Sequence, residues 1–185
     1  MATIMSRLRD EHANVEKLLK VAEHQADAMA RGETPDYDLL EDIVEYFLAY
    51  PEAFHHPLED LIYERLAAVR PDQREAIGDL SREHARLTES THEFANLLRL
   101  IEQDGAVSQH DFTQMVRQFV HTQRAHMEKE EKEFFPAAEE ALASADWNAL
   151  DIRAEGQADP VFGRKTEARF MALRDRIISW HEAAG

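Results

Sequence analysis

A helical stripe of apolar residues runs from Met5 to Met29 and returns 72 residues later. In the first copy Met5, Leu8, His12, Val15, Leu19, Ala22, Ala26 and Met29 are spaced alternately three and four apart, which is the seam a bundled helix buries. In the second copy Ile77, Leu80, His84, Leu87, Thr91, Phe94, Leu98 and Ile101 keep that spacing, with histidine at the same step. Two further segments are related at an offset of 71, where His55 and Glu59 match His126 and Glu130. The chain is therefore two helical hairpins. Each has a histidine on its first helix and a His-x-x-x-Glu on its second.

The hairpins resolve into four long helical patterns, at about 3 to 31, 36 to 69, 72 to 104 and 109 to 142. The breakers between them are short: Gly32 to Pro35, Arg70 to Pro71 and Gly105 to Ser108. Such brief connections turn successive helices back on one another, so the pattern predicts an all-α, up-down-up-down antiparallel four-helix bundle over residues 1–142. Residues 143–185 read as a C-terminal helical extension packed on the bundle. In it Asp146-Trp147 opens a short helix, Gly156 to Gly163 is a loop holding Asp159-Pro160, and 164 to 183 is a last helix. The six glycines and six prolines among 185 residues are too few for a turn-rich β architecture.

A formal net charge of −16 supplies no basic footprint for nucleic acid and repels an anionic membrane. The lack of cysteine removes disulfides, thiolate metal sites and thiol nucleophiles. Neither a signal-type apolar run nor a membrane-spanning stretch is present, and a cytoplasmic location is expected.

Side chains four apart on a helix point the same way, so each His-x-x-x-Glu aims an imidazole and a carboxylate together. Both pairs continue apolar stripes: Val44, Leu48, Ile62, Leu66 and Val69 flank the first, and Phe112, Met115, Phe119 and Phe134 the second. Six polar side chains thus converge on the interior: His12, His55, Glu59, His84, His126 and Glu130. Ionised groups buried there without partners would each cost several kcal/mol. A pair of cations compensates them directly, and nitrogen and carboxylate donors suit first-row transition metals. The bland alternative is a polar core network of His-Glu pairs.

His56 lies on the other side of Glu59 from His55. With Pro51 and Pro57 nearby to kink or bulge the helix, spacing alone does not say which histidine points inward. The repeat favours His55 and leaves His56 as an auxiliary ligand or outer donor. His24 and His121 leave the seam, His92 flanks it, and His110 and His181 sit near helix ends. A ferritin-type centre needs Glu-x-x-His on two helices. Glu52-x-x-His55 and Glu89-x-x-His92 fit the letters, but Glu89 faces away from His84.

Taken together, Arg9-Asp-Glu-His12, His55-His-Pro-Leu-Glu59-Asp, Ser81-Arg-Glu-His84 and His126-Met-Glu-Lys-Glu130-Glu-Lys-Glu-Phe-Phe-Pro136 resemble the hemerythrin-like family, named for a His-His-Glu cation-binding pattern. The resemblance covers about residues 5 to 142. The tail, with Asp159-Pro-Val-Phe-Gly163, is similar to a segment of a bacterial branch of that family. The resemblance implies a non-haem centre of two irons, oxo- or hydroxo-bridged, although zinc or manganese would also suit the donors. It further implies His12 and His55 on one iron, His84 and His126 on the other, and Glu59 and Glu130 bridging.

Oxygen-carrying relatives have a second histidine four residues after that on the third helix, where this chain has Thr88. Two histidines on each iron look closer to relatives associated with nitric oxide response, iron-centre repair and iron sensing. The expected function is binding or sensing of O2 or NO, or a part in iron and redox stress. The alternative is a di-iron enzyme reducing oxygen or peroxide, or an iron-donating repair protein, with acid-base help from His56 or Tyr46.

Overall fold

The computed structural model describes residues 3–103, 105–154, 159, 161–162 and 168–184. Every regular element among them is helical. α1 (Thr3–Ala30) ends at Gly32, whose φ of +82° lets the Gly32 and Glu33 amides donate back to the Met29 and Ala28 carbonyls; this αL stop suits glycine. α2 (Tyr37–Ala49) is capped by Asp36, whose side chain accepts from the Leu39 amide. A wide turn at Pro51–His55 leads directly into α3 (His56–Val69).

The expected third helix is divided. α4 (Pro71–Ile77) stops at Gly78, with φ of +88°, and α5 (Leu80–Glu102) starts afresh on its Asp79 cap. α6 (Gln109–Lys129) is capped by Ser108. It runs through a second wide turn, Glu130–Phe134, into α7 (Phe135–Ala141). In the extension α8 (Ser144–Arg153) has Asp146 turned back to the Ala143 amide, in keeping with the expected helix start. A 3₁₀ turn (Ala168–Phe170) precedes α9 (Met171–Ala184). Of the expected Gly156 to Gly163 loop, only Asp159, Val161 and Phe162 fall among the described residues.

Both wide turns close with an i→i+5 bond, His56 to Pro51 and Phe135 to Glu130. Each is followed by a proline, Pro57 or Pro136. Proline cannot donate to the carbonyl four back and its ring crowds it, and a widened turn relieves that crowding. The first turn also explains why the repeat changes offset. Ahead of it Leu40, Val44 and Phe47 match Phe112, Val116 and Phe119 at 72, all buried; beyond it His55 and Glu59 match His126 and Glu130 at 71. The inserted residue accounts for the difference of one.

α1 packs along α6 and α2 along α5. The predicted stripes face inward, from Met5 and Leu8 through Ala22 and Ala26 on α1, and from Leu80 through Phe94 and Leu98 on α5. Two apolar clusters fill the interior. One gathers Leu19, Val44, Phe47, Phe94 and Phe119, together with Phe170, Leu173 and Ile177 from the extension. The other gathers Met5, Leu8, Ile62, Leu66, Phe134 and Phe135, with Leu150 from α8. On each stripe the conserved-step histidine lies between them, so a polar layer separates two dry ones. No helix among the described residues is long and apolar enough to cross a membrane.

Replacing Gly78 by alanine tests the divided helix. The added Cβ would approach only the Lys129 Nζ at 3.7 Å and the Glu83 Oε1 at 4.0 Å, so the cost is that of a left-handed backbone, about 1 kcal/mol. Urea unfolding should show a lowered midpoint, and an unchanged one would contradict this origin of the break.

Candidate metal centre

All six expected site residues are buried in the polar layer, and His56 is buried with them. Glu59 and Glu130 are at its middle with no exposed surface. Glu59 Oε1 lies 3.2 Å from His55 Nε2 and 3.6 Å from His12 Nε2, and its Oε2 lies 3.5 Å from His84 Nε2. Glu130 is arranged in the same way. Its Oε2 is 3.4 Å from His12 Nε2, and its Oε1 is 3.1 Å from His126 Nε2 and 3.6 Å from His84 Nε2. Each carboxylate therefore spans two groups of imidazoles with one oxygen toward each.

His12, His55 and Glu59 form one group able to hold an ion, and His56, Glu59, His84 and His126 form another. The imidazoles lie two and three, with His56 beside His84 and His126, where the expected set counted it as auxiliary. A widened turn rotates fewer degrees per residue than an α-helix, so two consecutive side chains can both face the interior: His55 approaches His12 while His56 stacks on His84 with centroids 4.3 Å apart. His55 and His56 are not rivals for one inward position.

The imidazoles are held from behind. His55 Nδ1 meets Glu11 at 2.7 Å, His12 Nδ1 meets Glu131 at 3.0 Å, and His84 Nδ1 meets Asp60 at 3.2 Å. His126 Nδ1 is 3.7 Å from Glu83, an ion-pair distance. A carboxylate can only accept, so on His12, His55 and His84 the braced Nδ1 is the protonated nitrogen, and with a metal bound Nε2 would present its lone pair inward; His126 Nδ1 makes no hydrogen bond among the described residues. These carboxylates have partners of their own: Arg7 and Tyr50 on Glu11, Arg9 on Glu131, Ser81 on Asp60 and Lys129 on Glu83. Sequence reasoning missed all four. A signal was present, since an acid directly precedes His12 and His84 and directly follows Glu59 and Glu130.

Both oxygens of Glu59 and of Glu130, Nε2 of His84 and both ring nitrogens of His126 are buried without a hydrogen-bond partner among the described residues. Native interiors seldom leave such groups unsatisfied. Donor atoms sharing one ion at about 2.1 Å each lie some 3.0 to 3.4 Å apart, close to the nitrogen-to-oxygen distances found here. Imidazole and carboxylate donors without thiolate suit a first-row metal, and the outer carboxylates are the usual orienting groups of ligating histidines. The residues fit a pair of metal ions.

The remaining histidines stand apart. His24, His92, His110 and His121 are exposed, with His24 against Trp180; the His181 side chain lies outside the described residues. Tyr46, expected as an acid-base helper, instead donates to Asp159 of the extension at 3.0 Å. Tyr50 is the tyrosine connected to the site, donating to Glu11 at 2.6 Å.

The chain matches the family described as hemerythrin HHE cation binding domain over residues 3–138. Neither a curated protein nor a solved structure matches it.

Without metal the layer holds protons. Burial opposes charging the imidazoles, but Glu59 and Glu11 raise His55 to about 9, and Glu130 and Glu83 raise His126 to about 10. Burial and the neighbouring His84 instead push His56 well below its usual range. Burial and mutual repulsion would raise Glu59 and Glu130, yet the imidazoles hold both below the usual carboxylate range. A group with a raised folded pKa stabilises fully below its unfolded value, about 6.5 for histidine, and that contribution is lost as pH rises through the folded value. The metal-free protein should thus lose stability between about pH 7 and 10, while metal uptake strengthens as the competing protons leave. At pH 7.5 uptake should release the protons of His55 and His126, measurable by metal titration in weakly buffered solution. Uptake without proton release would contradict this.

Proposed function

Because the chain belongs to the hemerythrin HHE cation-binding family, we propose that its buried centre holds two iron ions and binds a small diatomic molecule, O2 or NO, for sensing or buffering. His12 and His55 would hold one ion and His56, His84 and His126 the other, with Glu59 and Glu130 shared. The frame in this reading is an up-down-up-down antiparallel bundle of residues 1–142, with residues 143–185 as an extension upon it. Zinc or manganese would suit the same donors; bound iron supplies the electrons that hold O2 or NO as a ligand. A cytoplasmic setting, where thiol-free chemistry needs no oxidising compartment, is part of the proposal.

The observation that carries this reading is the two-against-three division of the imidazoles. With three imidazoles, the side of His56, His84 and His126 would be the more fully occupied by protein donors, and the side of His12 and His55 would have room for an incoming molecule. The protein's own work is to keep that side ordered and dry. Phe135 stacks on His12 with centroids 5.3 Å apart, Glu11 and Glu131 fix the two imidazoles from behind, and apolar clusters close the layer on both sides.

Protein loaded anaerobically with ferrous iron should bind about one NO or O2 per iron pair as a stable adduct, followed by optical titration. Sustained consumption of oxygen or peroxide without a lasting adduct would overturn the binding reading in favour of an enzyme. Transfer of iron to an apo-acceptor protein at a rate matching metal loss would favour repair or donation instead.

A further inference from the structure

Apart from His56, the two hairpins agree at the centre, and they differ again just outside it. Beside the first, Arg7 holds Glu11 and also donates to the Ala154 carbonyl of the extension at 3.0 Å, while Tyr46 donates to Asp159. Tyr46 and Tyr50 are fully buried there, so the chain's own extension covers that side. Seventy-two residues on, Tyr46 and Tyr50 become Gln118 and Thr122, and Arg7 becomes Asp79. The shorter side chains leave a groove of about 460 Å³ lined by α5 and α6, reaching down to Glu83 and His126.

In a chain whose net charge is −16, two cations, Arg86 and Lys129, face this groove against one carboxylate, Glu83. Arg86, His121 and Lys129 face it. Lys129 is paired with Glu83, and Arg86 and His121 are exposed, with no ion pair among the described residues. Gln118 and Thr122 add short polar groups to the wall. Such a set matches an oxyanion: the guanidinium offers a planar fork to two oxygens and the ammonium a point charge. At the base of the groove the pairing of His126 with Glu83, at 3.7 Å, is the longest of the four braces.

We propose that the groove between α5 and α6 is a binding site for a small oxyanion or carboxylate held by Arg86, His121 and Lys129. Its occupant competes with Glu83 for Lys129, and the released Glu83 closes on His126. The anion site stands without the metal; only its coupling to the centre rests on the di-iron reading.

Calorimetry on the full chain, with metal content measured on the same sample, would use inorganic phosphate and succinate as separate probes. Saturable one-to-one binding of at least one probe is expected. Arg86→Glu should weaken it at least tenfold with metal content and helical circular dichroism unchanged, and Arg86→Gln should weaken it less. No saturable binding by the folded protein, or binding indifferent to both variants, would overturn the site. In iron-loaded protein the optical spectrum should move with the same half-saturation. A spectral change that persists in Arg86→Glu would place the anion at the metals and overturn the coupling. Arg86-dependent binding in protein that takes up no metal would leave the groove standing and sink the metal reading.

Discussion

Two carboxylates, Glu59 and Glu130, lie together at the middle of the molecule with no surface exposed to water, and the surrounding structure answers that electrostatic demand. Unpaired, each would cost several kcal/mol, and each would repel the other in a medium that screens poorly. Five imidazoles surround them, drawn from α1, α5, α6 and both sides of the junction between a widened turn and α3. Protons on the imidazoles meet the demand in the metal-free state. A pair of cations would meet it with better geometry, because four carboxylate oxygens would then have partners that no hydrogen bond in the described structure provides.

The internal repeat makes this economical in sequence. Glu11 braces His55 as Glu83 braces His126, and Asp60 braces His84 as Glu131 braces His12. One crossed pattern, an acid before each first-helix histidine and an acid after Glu59 and Glu130, thus places a carboxylate behind each of four rings. The apolar layers on either side exclude water, which strengthens every interaction between them. Departures from the repeat are equally informative. The widened turn at Pro51–His55 adds the fifth imidazole to one side, and the loss of two tyrosines from the second hairpin opens its outer face.

Helical class, seam positions and the inward placement of six polar side chains were legible because a buried stripe on a helix imposes a spacing of three and four, and a histidine on that stripe has nowhere to point but inward. The break at Gly78 was not, since a single glycine within an otherwise continuous stripe carries no spacing defect; only its positive φ reveals it. His56 eluded the spacing for the opposite reason. An inserted residue changes the angular step locally, and Pro57 signals a disturbance without giving its direction. Tyr46 was misplaced because the residues that receive it belong to the extension, more than a hundred positions away. The outer carboxylates went unread among 37 acidic residues, where adjacency to a ligand is visible only once the ligand set is known.

The central claim is that Glu59 and Glu130 are shared by two ions. Anaerobic titration of the full chain with ferrous iron, desalting and elemental analysis measures this directly, run in parallel on Glu59→Ala. The wild-type chain should saturate at about two irons. Glu59→Ala should keep one or none, because it removes a shared carboxylate and leaves two close cations less well neutralised. Saturation of the wild-type chain at one iron, or two irons retained by the folded variant, would contradict a carboxylate-bridged pair.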